Sequence, residues 1–315
     1  MHTPPLALRA LLVGLAGLAV LVLAACDAGA AAPVPGAPDA MVWPPASATV
    51  AAPPSATPAA RRPVVVVDPG HAVDEVGAAA YGVVEKESNL DFAVRVTTLL
   101  RARGVDALLT RTADVRAALP GQEPARTTGW DGQRLDLQAR VDIANAAKAD
   151  AFVSIHSNGA ADSSIRGHEV YYNSARPFSA QNKRLATLLH DGVTASLQGA
   201  GLPATPRGVI DDDCLKPFGG RCYPLFILGP SRTTDRAEVY ARGGTPEGLG
   251  FAPDQPALIS RPSEVPAALV ELLFVSSPED AALLRDEAAR DAMARGVARG
   301  ILDFLGIDST TQGGR

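Results

Sequence analysis

The stretch Val64 to His71 reads VVVVDPGH: four β-branched residues, then an acid, a turn and a histidine. An unbroken apolar run of this length, closed by Pro69-Gly70, predicts a strand buried on both faces, as in a parallel sheet. The run at 151–157, AFVSIHS, has the same form and carries its own histidine, His156.

Working outward, strand-like and helix-like segments alternate. A helix is expected over about 88–103, with Leu90, Ala93, Val94, Thr97 and Leu100 on one face and Gly104 as its stop. DALLTR (106–111) follows as a short strand. LDLQARVDIANAAKA then forms a helix, with Leu135, Ala139, Ile143 and Ala147 at four-residue spacing. After AFVSIHS come GHEVYYN (167–173), alternating like a strand near an edge, a helix over 179–198, and PLFILG (224–229) as a candidate strand. PAALVELLFV (266–275) is strand-like, and ARDAMARGVARGILDFL (289–305) closes the series as an amphipathic helix. This alternation predicts one α/β domain over 63–306, a mostly parallel sheet flanked by helices on both faces. The stretch 230–263 shows no regular pattern. Connections of that length are often functional, and two readings stand: a wall or partial lid of a cleft, with Arg232 and Arg236 available for carboxylates, or a mobile decorative loop.

The chain has 315 residues and a net charge of −5. No lysine/arginine stripe is present, which argues against a nucleic-acid surface. Ahead of the domain, Arg9 precedes the apolar run Ala10–Ala25, shorter than the ~20 residues of a membrane helix. It suits the core of a signal peptide over 1–25. Its end, Leu23-Ala24-Ala25-Cys26, resembles the lipobox of bacterial lipoproteins, which implies acylation of Cys26 and a membrane lipid anchor. Residues 26–62 are rich in alanine and proline and read as a tether, spanning roughly 30 Å as a coil and roughly 110 Å when extended. Cys214 and Cys222, the two cysteines left over in an exported chain, are expected to form a disulfide, a zinc pair being the alternative. Residues 307–315 are expected to be a flexible tail.

In a parallel sheet the carboxyl ends of the strands line one edge, where ligands bind. His71 and His156 fall there, and Glu271 lies late in the PAALVEL strand, so three residues distant in sequence converge by topology. Two imidazoles and a carboxylate are a usual ligand set for catalytic zinc, and a further acid is then free for proton transfer. Asp74, Glu75 and Glu85 are the candidates for the carboxylate. Of five histidines, His2 lies in the signal segment, while His168 and His190 read as structural or exposed.

DPGH (68–71), EKESNL (85–90), SIHSN (154–158) and VELLFVSSPED (270–280) resemble, in that order, the zinc-dependent N-acetylmuramoyl-L-alanine amidases of type 3. RGV (207–209) and ARGVARGILDFL extend the likeness over nearly all of 63–306. The resemblance implies a six-stranded sheet, one Zn2+ held by His71, Glu85 and His156, and Glu271 as the catalytic acid–base. It implies peptidoglycan as substrate, cut between N-acetylmuramic acid and L-alanine. Two departures stand out: Ala72 where the family usually has glycine, and ELLFVSS for EIGFISN. Neither changes a proposed ligand. Asp68 and Asn158 are candidates for orienting ligands or substrate. The competing readings are a non-catalytic peptidoglycan-binding lipoprotein and a zinc carboxypeptidase-like hydrolase, for which Arg140 and Arg207 are the candidate carboxylate clamps.

Overall fold

In the computed structural model, which describes residues 61–215 and 224–309, the opening run is strand β1 (Val64–Pro69). A two-residue-per-strand hairpin, β2 (Ala79–Ala80) and β3 (Val83–Val84), leads into helix α1 (Glu85–Arg101). Then come β4 (Asp106–Leu109), α2 (Gly129–Ala146), β5 (Ala151–Asn158), β6 (His168–Tyr172), α3 (Ser179–Gly199) and β7 (Pro206–Asp211). The chain continues through β8 (Thr233–Asp235), α4 (Arg236–Ala241), β9 (Ala257–Ile259), β10 (Ala267–Phe274), α5 (Pro278–Arg285) and α6 (Glu287–Leu305). Six strands form the main sheet, in the order β4-β1-β5-β10-β6-β7. Every pairing in it is parallel except β10 with β6. Architecture and strand number agree with the sequence expectation.

The valine run of β1 shows why an unbroken apolar strand was needed. Side chains alternate across a strand, so Val65 and Val67 join the core under α1, α3 and α6, whereas Val66 joins the core under α2. All three are fully buried. Asp106 N and Asp150 N both bond to the start of β1, at Pro63 and Val64, so the parallel strands begin together at one edge. They end together at the other, beside His71 and His156.

Several local expectations need correction. PLFILG is a turn, with Leu228 N and Gly229 N both donating to Leu225 O. Its Ile227 and Leu228 are buried against the α2 side of the sheet, so the apolar signal reported burial and not strand pairing. The sixth strand is instead β7, a half-exposed edge strand whose mixed sequence PRGVID carries no burial pattern. α1 begins at Glu85, not near Ser88. α5 is an additional helix; Pro278 opens it and the Ser277 side chain caps it. The stretch 230–263 is not irregular: it holds β8, α4 and β9, and docks along α2. Trp130 of α2 packs with Val239 and Phe251, Asp131 accepts from Thr245 N at 2.8 Å, and Arg261 pairs with Asp142.

Ile307 packs against the main core, and Arg103 donates to Asp308 O at 3.1 Å, so the fold extends past the expected boundary at 306. Among the described residues no helix is long and apolar enough to cross a membrane. The signal peptide, Cys26, the tether and Cys222, and with it the disulfide, lie outside the described residues.

Candidate metal centre

Where β1 ends, the backbone is held in an uncommon shape. His71 has φ 61° and Val73 φ 55°, left-handed conformations that disfavour side chains. Buried arginines hold the carbonyls of this turn. Arg140 donates to Pro69 O (2.6 Å) and His71 O (3.1 Å); Arg111 donates to Pro69 O and Gly70 O, both at 3.0 Å. Arg140 is itself locked by Asp136 and by Asp68 (2.7 Å), and Asp68 also accepts from Thr110 and Ser154. Burial opposes ionisation of Asp68, but Arg140 and the two hydroxyls hold its carboxyl below the usual range. Asp68 thus orients the histidine turn through Arg140, and has no free edge for substrate. Arg140 is sealed, which removes it as a carboxylate clamp.

Glu85 opens α1, aimed by the β2–β3 hairpin. Its Oε1 lies 2.8 Å from His71 Nε2 and 3.1 Å from His156 Nδ1; its Oε2 accepts from Ala78 N at 2.7 Å. One ligand atom from each of His71, Glu85 and His156 lies within 4.8 Å of the others. The two imidazoles meet edge to face, with centroids 4.7 Å apart. A cradle of glycines makes this possible. A Cβ on Gly77 would meet Glu85 Cδ at 2.8 Å and His71 Cδ2 at 2.7 Å, and one on Gly70 would meet the His156 ring. Burial disfavours a charged His71, yet Glu85 and Glu75 outweigh it and lift the imidazole to about 10. Burial likewise resists ionisation of Glu85, and His71 and His156 overcome it, holding the carboxyl below its usual range.

Of the three carboxylate candidates, Glu85 alone faces both imidazoles. Glu75 bonds the far nitrogen, His71 Nδ1, which leaves Nε2 for the cluster. That is the arrangement by which a carboxylate sets tautomer and orientation of a metal-binding histidine. Asp74 turns away, to Arg116 and Gly129 N. His168 is buried and bonds Thr194, with its ring 5.1 Å from that of His190, so both are structural. Arg236 is spent on the carbonyls of Ala252, Pro253 and Gln255 and does not wait for a ligand.

Glu271 of β10 is the register partner of His156 on β5 and of Glu169 on β6, so the three side chains form one row across the sheet. Two carboxylates thus stand one strand apart in opposite environments. Glu169, unforeseen from sequence, accepts from Asn158 (2.8 Å), Tyr171 (2.7 Å) and Arg207 Nε (2.7 Å). Glu271 Oε2 is buried without a hydrogen-bond partner. Burial, then the negative Glu85 and Glu169, keep the Glu271 carboxyl well above the usual range against the pull of His71. Only pairing reveals Glu169; its signal was a charged residue inside the otherwise apolar VYY strand.

The donor set, two imidazoles and one carboxylate with the second His71 nitrogen on Glu75, fits zinc. The profile of a family described as N-acetylmuramoyl-L-alanine amidase matches residues 65–221 and 231–303. Amidase AmiA of Salmonella typhimurium is 29% identical over 259 residues, covering 77% of this chain and 76% of that protein. Amidase LytC of Bacillus subtilis is 27% identical over 240 residues, and there the match spans only 35% of the longer relative. Among solved structures, amidase AmiC2 of Nostoc punctiforme shares 26% identity at a TM-score of 0.52, covering 78% of this chain and 97% of that one.

Proposed function

Since the chain belongs to the N-acetylmuramoyl-L-alanine amidase family, we propose that it is a zinc-dependent cell-wall hydrolase cutting the amide between N-acetylmuramic acid and L-alanine of peptidoglycan. The observation that carries the zinc reading is the cluster His71, Glu85, His156, within 4.8 Å, with Glu271 one strand away. His71 through Nε2, His156 through Nδ1 and Glu85 would hold the ion. When bound, zinc supplies Lewis acidity toward the amide carbonyl and an acidified water near pKa 7. Glu271, whose Oε2 is buried beside the cluster with no hydrogen-bond partner, takes the proton of the attacking water as its carboxylate and delivers it to the departing alanine nitrogen, a poor leaving group unless protonated. Glu75 keeps the proton of His71 on Nδ1.

We extend the proposal to the ends of the chain: a signal peptide over 1–25, a lipid anchor on Cys26, a tether to residue 62 and action outside the cytoplasm. The carboxypeptidase reading has lost Arg140, and the non-catalytic reading leaves a buried, unpartnered Glu271 without a role.

Purified chain should hold about one zinc, and digested peptidoglycan should show new L-alanine amino termini. His156→Ala should lose the metal. Glu271→Gln should keep the metal and lose about 10²- to 10⁴-fold in rate. New carboxyl termini from the peptide end, or full metal in His156→Ala, would overturn the reading.

A further inference from the structure

Resting on the amidase reading, we propose that Arg207 is a carboxylate-binding subsite for the peptide arm of the substrate. The row His156, Glu271, Glu169 continues into β7, where Glu169 pairs with Gly208. Neighbouring strands are about 4.8 Å apart, so Arg207 begins roughly 10 Å from Glu271 across the sheet. An extended peptide advances about 3.4 Å per residue, which sets the subsite two to three residues from the bond being cut.

The arginine is built for this. Its Nε is pinned on Glu169 Oε2 at 2.7 Å, and its guanidinium carbon stands 5.1 Å from the centre of the Phe274 ring. Nη1 and Nη2 make no hydrogen bond to any described residue, and the side chain is 38% exposed. Arg140 and Arg111, which hold the histidine turn, use all three nitrogens. A guanidinium fixed by one edge and one face, with its fork open, is the geometry that grips a carboxylate with two parallel hydrogen bonds. There is room beside it: a Cβ on Gly208 would meet nothing within 4 Å. Glu169, saturated by Asn158, Tyr171 and Arg207, is the positioning residue that aims the fork.

The test uses the full zinc-loaded chain and two muramoyl-peptides differing only in the residue after L-alanine, which carries a free carboxylate or its amide. The unmodified chain should favour the carboxylate about 10- to 100-fold in kcat/KM, through KM, the range of one charge-assisted pair. Arg207→Met should bring that ratio near one, and Arg207→Lys should restore part of it. No preference in the unmodified chain overturns the subsite. So does an Arg207→Met variant that slows both substrates equally, and if that variant fails to fold, the preference of the unmodified chain decides alone. Cleavage of neither substrate overturns the amidase reading and the subsite with it, an outcome distinct from cleavage without discrimination.

Discussion

Asp212 and His168 are buried ionisable groups outside the metal centre, and their shifts run in opposite directions. Burial pushes the Asp212 carboxyl from 3.8 up to about 7, despite hydrogen bonds from Asn173 and Leu225 N. The folded chain therefore keeps a proton that the unfolded chain releases. The contribution is full below pH 3.8 and is lost as pH rises through about 7. Burial pulls His168 from 6.5 down to about 4. Here the unfolded chain binds the extra proton, so stability is full above pH 6.5 and is lost as pH falls toward 4. Each slope is at most about 1.4 kcal/mol per pH unit, and in the wild type they oppose one another. Asp212→Asn removes one slope: denaturant unfolding of the variant should gain stability with pH between 4 and 6.5 more steeply than the parent. Identical slopes would refute the assignment.

The backbones of α3 and α6 approach closely. A Cβ on Gly296 would stand 2.6 Å from Val193 Cα and 2.7 Å from Gly192 O; one on Gly300 would stand 2.7 Å from Leu189 Cα. The two helix backbones touch because both lack side chains there. Gly296→Ala gains about 1 kcal/mol of helix propensity but overpacks a backbone contact that cannot yield, so a net loss of about 1–3 kcal/mol is expected in unfolding experiments. Gly199→Ala, at the end of α3 with nothing within 4 Å, should be neutral or slightly stabilising and serves as the control. On the other face, β8, α4 and β9 form an appended unit held to α2 by Trp130, Asp131 and Asp142. Its position as a wall of the cleft stays a proposal, now with Arg236 excluded as a ligand group.

At the scale of the molecule, the chain enters the domain at one edge of the sheet and the His71, Glu85, His156 cluster lies at the opposite one. Arg61 pairs with Asp150, and Arg62 donates to Gly104 O, at the edge where the parallel strands begin. His71 and His156 stand where they end, about 20 Å away along β1. On the proposed lipoprotein reading, a tether from Cys26 would join the domain at the edge opposite His71 and His156 and leave that edge uncovered. Cys26→Ser should move the protein out of the membrane fraction, or block its processing, while the purified variant still cleaves soluble muropeptides. Normal maturation with unchanged membrane association would refute the anchor.

Periodicity and composition were enough for the α/β alternation, the parallel sheet and the edge at which His71 and His156 meet, because burial on two faces demands unbroken apolar runs such as VVVV and AFVSI. Glu85 is singled out among three acids by family resemblance alone, and the structure brings its Oε1 beside both imidazoles. Register was not legible: that Glu271 stands between His156 and Glu169, or that Arg207 is pinned by one nitrogen only, depends on pairing between strands far apart in sequence. Nor was PLFILG, since burial leaves the same apolar mark on a turn as on a strand. Local sequence determines which residues must leave water; only the tertiary structure decides which of them face one another, because that is settled by packing across the sheet.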